Sequence, residues 1–194
     1  MATGQKKARR LNASLVFVDE SGILMAPILR RTWSRSGHTP VIRQRTRSHQ
    51  KVSMIAALCV NARRSRLHLC FRLHPNVNIA SGEVIQFVRQ LCRHLRGPIV
   101  LLWDRFNPHR SAKTRKALAK KSRLHVVSFP PYAPELNPTE NVWAYLKTNP
   151  LANTAPHDLP TLTTLTRGSS RSVQRSPSLL RGFLRHTPLS LRLG

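Results

Sequence analysis

The sequence predicts a mixed α/β domain, and three observations carry that prediction. Apolar runs of strand length come first, at Leu15–Val18, Ile23–Leu29, Val52–Val60 and Arg66–Leu73. From Ser81 onward, helical and strand-like segments alternate, as crossover-linked parallel strands require. Ile99-Val100-Leu101-Leu102-Trp103 is apolar without a break, which marks a central strand covered on both faces.

Residues 1–12 read as a polar basic arm. Leu15-Val16-Phe17-Val18 reads as a short buried strand ending at Asp19. Gly22 and the apolar run after it suggest a hairpin. Arg30 to Lys51 is polar and basic, with Gly37 and Pro40, and reads as a loop. Leu67, Leu69, Phe71 and Leu73 alternate with His68, Cys70 and Arg72, the pattern of a half-buried strand. Ser81 is the expected N-cap of a helix whose start Glu83 suits, and Val84, Val88, Leu91 and Leu95 line one face. Gly97-Pro98 should stop it.

Ser111 to Lys121 then reads as a short basic helix. His125 to Phe129 is a further strand, closed by Pro130-Pro131. Asn137 caps a helix with Pro138 at its first position. Residues 13–150 thus form the predicted domain. Residues 151–194 are rich in Ser, Thr, Pro, Leu and Arg, and are expected to be loose or partly helical, with a short helix over 179–184.

Charge narrows the function. The chain has 33 Lys+Arg against 7 Asp+Glu, a formal net charge of +26 in 194 residues. Such a polycation calls for a polyanion, and nucleic acid is the natural partner. A basic RNA-binding structural protein satisfies that requirement as well as an enzyme does. The three cysteines, Cys59, Cys70 and Cys92, form no C-x-x-C pair and sit in apolar stretches. With no secretory signal and no apolar run near 18 residues, a cytoplasmic setting without membrane attachment is expected.

Acids are scarce, so their places are informative. Asp19 and Asp104 terminate the two most strand-like runs, and Glu140 lies at the start of the helix after the last strand. Ligands of open α/β sheets gather beyond the carboxyl ends of strands. Carboxylates gathered there repel unless cations separate them, and hard Mg²⁺ or Mn²⁺ fit oxygen ligands. Two such ions, roughly 3.5–4 Å apart, serve phosphodiester cleavage. Each residue also has a plainer reading. An Asp after a strand commonly serves a turn, and Glu140 stands where a capping-box Glu would reach back to Asn137.

Leu15-Val16-Phe17-Val18-Asp19-Glu20-Ser21-Gly22 resembles the first-aspartate motif of transposases from bacterial insertion sequences related to mariner elements. Leu101-Leu102-Trp103-Asp104, followed by His109-Arg110-Ser111, resembles their second. Phe129-Pro130-Pro131-Tyr132-Ala133-Pro134-Glu135-Leu136-Asn137-Pro138-Thr139-Glu140-Asn141-Val142-Trp143 resembles their third and is the most specific. The resemblance runs from about Leu11 to Lys147, with weaker similarity over Leu179–Leu191.

It implies an RNase H-like sheet, its first three strands antiparallel and its fourth and fifth parallel, with Asp19, Asp104 and Glu140 as a catalytic triad holding two Mg²⁺ or Mn²⁺ ions. It also implies DNA transposition: cleavage at the element's ends, then attack of the freed 3′-hydroxyl on target DNA. Partners so implied are transposon ends, target DNA and a second copy of the chain, in the bacterial cytoplasm at the nucleoid.

The family usually carries an N-terminal helix-turn-helix region. Only twelve residues precede the first strand here, so that region is expected on a separate chain or lost, and a non-catalytic DNA-binding remnant is the alternative. Arg105 stands where the family commonly has Asn. His109 is a candidate for orienting a phosphate or a carboxylate, or else caps the next helix, and Asn137 is a candidate neighbour of the triad. Lys113, Arg115, Lys116, Lys120 and Lys121 are the candidate DNA-binding residues, and Trp33 among Arg30, Arg31 and Arg35 is another.

Overall fold

Period-two burial sets the sheet. In the computed structural model, which describes residues 2–26, 28–41, 50–189 and 191, the strands are β1 (Ser14–Leu24), β2 (Lys51–Val60), β3 (Leu67–Pro75), β4 (Ile99–Trp103) and β5 (Leu124–Ser128). They form one five-stranded sheet in the order β3-β2-β1-β4-β5. β1–β2 and β2–β3 pair antiparallel, whereas β1–β4 and β4–β5 pair parallel. All of β4 is buried, as its unbroken apolar run predicts.

Two cores flank the sheet. Leu15 and Phe17 of β1 face one core together with Val100 and Leu102 of β4. Val16 and Val18 face the other with Leu101 and Trp103. The first core is closed by helices α5 (Pro138–Thr148), α6 (Leu159–Gln174) and α7 (Pro177–Arg185), with α1 (Ala2–Arg10) alongside. The second is closed by α2 (Ser81–His94), with α3 (Asn107–Arg110) and α4 (Ala112–Ala119) packed beside it. Among the described residues, no helix is long and apolar enough to cross a membrane.

Four expectations need correction. The basic arm is helical: α1 lies on the sheet through Gly4 and Ala8, residues four apart on one face. A Cβ on Gly4 would come within 3.0 Å of Leu102 Cδ2, and Ala8 is fully buried, so small size, not apolar bulk, makes this face.

No hairpin forms at Gly22, and β1 does not end at Asp19. β1 continues to Leu24 because β2 offers partners along its whole length, including Gly22↔Ser53 and Ile23↔Val52. The predicted loop after it is only partly in view, since residues 42–49 lie outside the described set.

At α2 the cap is Ala80, not Ser81. The Glu83 carboxylate accepts from the Ala80 N–H at 3.0 Å, while the Ser81 hydroxyl pairs with that of Ser111 at 2.8 Å. The helix ends as expected, before Gly97 at φ 75°.

The tail is helical rather than loose: the short helix expected over 179–184 lies within α7, and α6 precedes it. Asp158 Oδ1 accepts from the Thr161 N–H at 2.7 Å and starts α6, which buries Leu162, Thr166, Ser170 and Val173 against β2 and β3. α7 buries Leu180, Phe183 and Leu184. A face built half from Thr and Ser carries no apolar stripe, so the sequence hides it. Leu162 is fully buried. Leu162→Ala should therefore cost about 2–5 kcal/mol in urea denaturation; an unchanged midpoint would mean that the segment is dispensable to the fold.

Candidate active site

Adjacent residues of a strand point to opposite faces. Asp19 shares the face of Leu15 and Phe17, toward α5. Glu20 shares the face of Val16 and Val18, toward α3. The continuation of β1 past Asp19 therefore places one carboxylate on each side of the sheet edge.

The start of α5 is pinned to β1 by the backbone it satisfies. Pairing with β4 runs only as far as Phe17↔Leu102. At that point the Thr139 hydroxyl donates to the Phe17 carbonyl at 2.7 Å, and Asn137 Nδ2 donates to the Val18 carbonyl at 3.3 Å. Asn137 Oδ1 also accepts from the Thr139 N–H at 3.2 Å, capping the helix that Pro138 opens. Asn137-Pro138-Thr139 is thus a docking device, and it sets Glu140 beside Asp19. One turn later Trp143 Nε1 donates to Asp19 Oδ2 at 2.8 Å.

Asp104 leaves β4 at the same edge. Its Oδ1 accepts from the Phe106 N–H at 2.9 Å and lies 2.8 Å from His109 Nδ1. His109 Nε2 lies 3.0 Å from Glu20 Oε1. The buried imidazole is stacked on Trp103, with ring centroids 4.1 Å apart and planes within 4°.

Asp19, Asp104 and Glu140 line one cavity of about 440 Å³, with Asn137, Arg105 and Tyr132 also in its wall. Asp19 is buried at its floor, whereas Asp104 and Glu140 are exposed. A second cavity of about 670 Å³ adjoins it through Asp104 and carries His109, Arg110 and Arg115.

Electrostatics separates the three acids. Burial, then the Glu140 charge, pushes Asp19 up to about 8, against the Trp143 hydrogen bond. Burial also raises Glu140, although a hydrogen bond shared with Asp19 and the charge of Lys147 oppose it. The two carboxyls therefore hold a proton between them near neutral pH. Asp104 behaves differently. Burial works against its ionisation, but hydrogen bonds from His109 and Phe106 outweigh that and hold it below the usual range. His109 is likewise disfavoured as a cation by burial, yet its bonds to Asp104 and Glu20 raise it to about 9.

Glu20, Asp104 and His109 each offer a ligand atom, all within 4.8 Å of one another. One ion cannot take both nitrogens of one ring, and each nitrogen here faces a different carboxylate. The trio is better described as a hydrogen-bonded chain that ends on Asp104. Of the other acids, Glu83 and Asp158 cap α2 and α6.

The sequence-predicted residues Asp19, Asp104 and Glu140 are thus brought together. Asn137 touches β1, and His109 touches Asp104. Lys113, Arg115, Lys116, Lys120 and Lys121 lie on and just after α4, all five exposed to solvent, and Trp33 is fully exposed in its basic loop. Sequence reasoning missed Glu20 and read Trp143 as packing. The signal for Glu20 was strand alternation carried one residue past Asp19.

A mixed sheet in this order, with acids at β1, after β4 and at the start of the helix after β5, defines an RNase H-like domain with a carboxylate-lined cavity. The family model described as DDE superfamily endonuclease matches residues 14–163, and the chain belongs to that family.

Among solved structures, the chain resembles the Mos1 mariner paired-end complex with Mn at TM-score 0.66 and 16% identity, covering 95% of this chain and 57% of that one. It resembles the catalytic domain of Mos1 mariner transposase at TM-score 0.55 and 12% identity, covering 97% and 93%. The intasome of simian T-cell lymphotropic virus in complex with a PP2A regulatory subunit gives TM-score 0.54 and 14% identity, covering 94% and 57%. The chain therefore spans a little over half the length of the paired-end Mos1 protein. Comparison with curated proteins gives no match.

Proposed function

We propose that this chain is the catalytic domain of a DNA transposase that cleaves phosphodiester bonds with divalent metal and joins the freed 3′-hydroxyl to target DNA. The supporting observation is the convergence of Asp19, Asp104 and Glu140 on one cavity in a chain of net charge +26. Among the described residues, no Lys or Arg forms an ion pair with any of the three. Apart from His109 on Asp104 Oδ1 and the proton shared by Asp19 and Glu140, which a metal ion would displace, this set of carboxylate oxygens fits Mg²⁺ or Mn²⁺. The Mos1 paired-end complexes with Mn and with Mg agree with that choice.

Asp19, Asp104 and Glu140 would hold two ions. Such ions, when bound, activate the attacking oxygen and stabilise the leaving one. The chain's own contribution is placement. Trp143 fixes Asp19 Oδ2, Asn137 and Thr139 fix the start of α5, and the cations of α4 take phosphates. The DNA partners are transposon ends and target, by analogy with the paired-end and strand-transfer complexes of Mos1. Action as a homodimer on bacterial chromosomal DNA, with end recognition supplied by a helix-turn-helix chain, completes the reading.

Arg105 lines the same cavity and brings a positive charge to its wall, although no ion pair joins it to the three carboxylates among the described residues. That favours a second reading, a DNA-binding protein without cleavage. Nicking assays separate the two. The catalytic reading expects Mg²⁺- or Mn²⁺-dependent nicking of end-bearing DNA, lost with chelator and in Asp104→Ala; metal-indifferent binding without nicking supports the second.

DNA binding itself should weaken with salt. Replacing Lys113, Arg115 and Lys116 with Ala should flatten the log–log salt slope by about 0.9 for each phosphate no longer neutralised. An unchanged slope would move the DNA path off α4.

A further inference from the structure

The acid of the triad that lies on a loop is gripped through one of its two oxygens. The side chain of Asp104 is 54% exposed. Yet both hydrogen bonds that the protein gives it fall on the same oxygen. The Phe106 N–H and His109 Nδ1 converge on Oδ1, at 2.9 and 2.8 Å. Oδ2 accepts neither of them, and Asp104 lines the cavity shared with Asp19 and Glu140.

His109 is itself immobilised on three sides. Its side chain is 1% exposed, it stacks on Trp103, and the Phe106 ring meets it edge-on at 5.7 Å. Its far nitrogen is tied 3.0 Å from Glu20 Oε1, on a strand 89 residues away in sequence. Carboxylates only accept, so both ring nitrogens donate.

We propose that Glu20 and His109 are positioning residues that clamp Asp104 Oδ1 and so present Oδ2 alone to a divalent ion. This rests on the catalytic reading above. The register of β1 makes the clamp a link between two members of the triad: Asp19 and Glu20 are neighbours, so the residue that tethers His109 moves with Asp19. Preorganising a ligand in this way removes the entropy of ordering it when the ion arrives. Outer partners of metal ligands commonly contribute 10- to 100-fold in metal affinity.

The test is Mn²⁺ affinity of the full chain, read from the free-ion electron paramagnetic resonance signal, with urea midpoints measured in parallel. His109→Ala and His109→Gln should weaken Mn²⁺ binding by roughly 10- to 100-fold. His109→Asn should recover most of it, because an Asn amide can stand where Nδ1 stood and donate to Asp104. A Gln amide reaches instead toward the Nε2 position and Glu20. Glu20→Ala should weaken binding, and Glu20→Gln, which keeps an acceptor for Nε2, should restore it.

A purely structural role would move Asn and Gln variants together with the urea midpoint, and that result overturns the clamp. Unchanged affinity in every His109 and Glu20 variant, with binding lost in Asp104→Ala, also overturns the clamp and leaves the catalytic reading standing. Wild-type protein that binds no Mn²⁺, or binds it equally well as Asp104→Ala, removes both. Should the His109 variants not fold, the Glu20 pair decides the matter alone.

Discussion

Glu140→Gln is expected to lower metal-dependent nicking by at least about a thousandfold, the scale seen when one member of a catalytic set is removed, while fold and DNA binding are kept. The substitution changes one oxygen to an amide and almost nothing else. Asn137 and Thr139 still pin the start of α5 to the Phe17 and Val18 carbonyls, because neither bond involves Glu140. The new amide can donate to Asp19, replacing the proton that the two carboxyls share. Stability should therefore hold or rise slightly. The cations of α4 are untouched, so the salt slope of DNA binding should not move. Activity, circular dichroism and salt-dependent binding on one preparation make the case. A variant that nicks at the wild-type rate would show that Glu140 is only the capping residue its position after Asn137 also suggests.

That ambiguity shows where sequence reading reaches its limit. Asp19 and Asp104 are legible because each follows an apolar run, and β4 because its run has no polar break. The start of α5 is legible because Asn137 and Pro138 are cap and first-turn residues by their own chemistry. What stays hidden depends on partners far away in sequence. β1 runs past Asp19 only because β2 meets it residue for residue, and nothing in Ser21-Gly22 signals a strand. α1 and α6 pack through Gly4, Ala8, Thr166 and Ser170, which carry no apolar period. Glu20 enters the site only because the strand continues, and it meets His109 across 89 residues. Trp143 reads as core, which it is, but its N–H makes it a hydrogen-bond partner of Asp19 as well.

Asp19→Asn should make the metal-free protein more stable at pH 8, and less responsive to metal. In the folded chain the Asp19 carboxyl titrates near pH 8, raised from 3.8, with burial as the main cause. Between those values the folded state holds a proton that the unfolded state has released. The stability associated with this group is therefore fully present below about pH 4 and is lost as pH rises toward 8. Above that, the metal-free fold must carry a buried charge beside Glu140. Asparagine never ionises. It keeps an oxygen for Trp143 Nε1 and gains an amide that can donate to Glu140. The advantage of the variant in urea denaturation should be small near pH 4 and on the order of a few kcal/mol at pH 8. His109, raised to about 9, also loses stabilisation as pH climbs, but it does so in both proteins and largely cancels in the difference. Mg²⁺ or Mn²⁺ should reverse the order, because an ion that binds only the folded wild type stabilises it by mass action. Denaturation in chelator and in metal, at both pH values, gives the four numbers needed. If Asp19→Asn is the weaker protein at pH 8 in chelator, burial does not strain this carboxylate, and its place at the cavity floor is not held open for a cation.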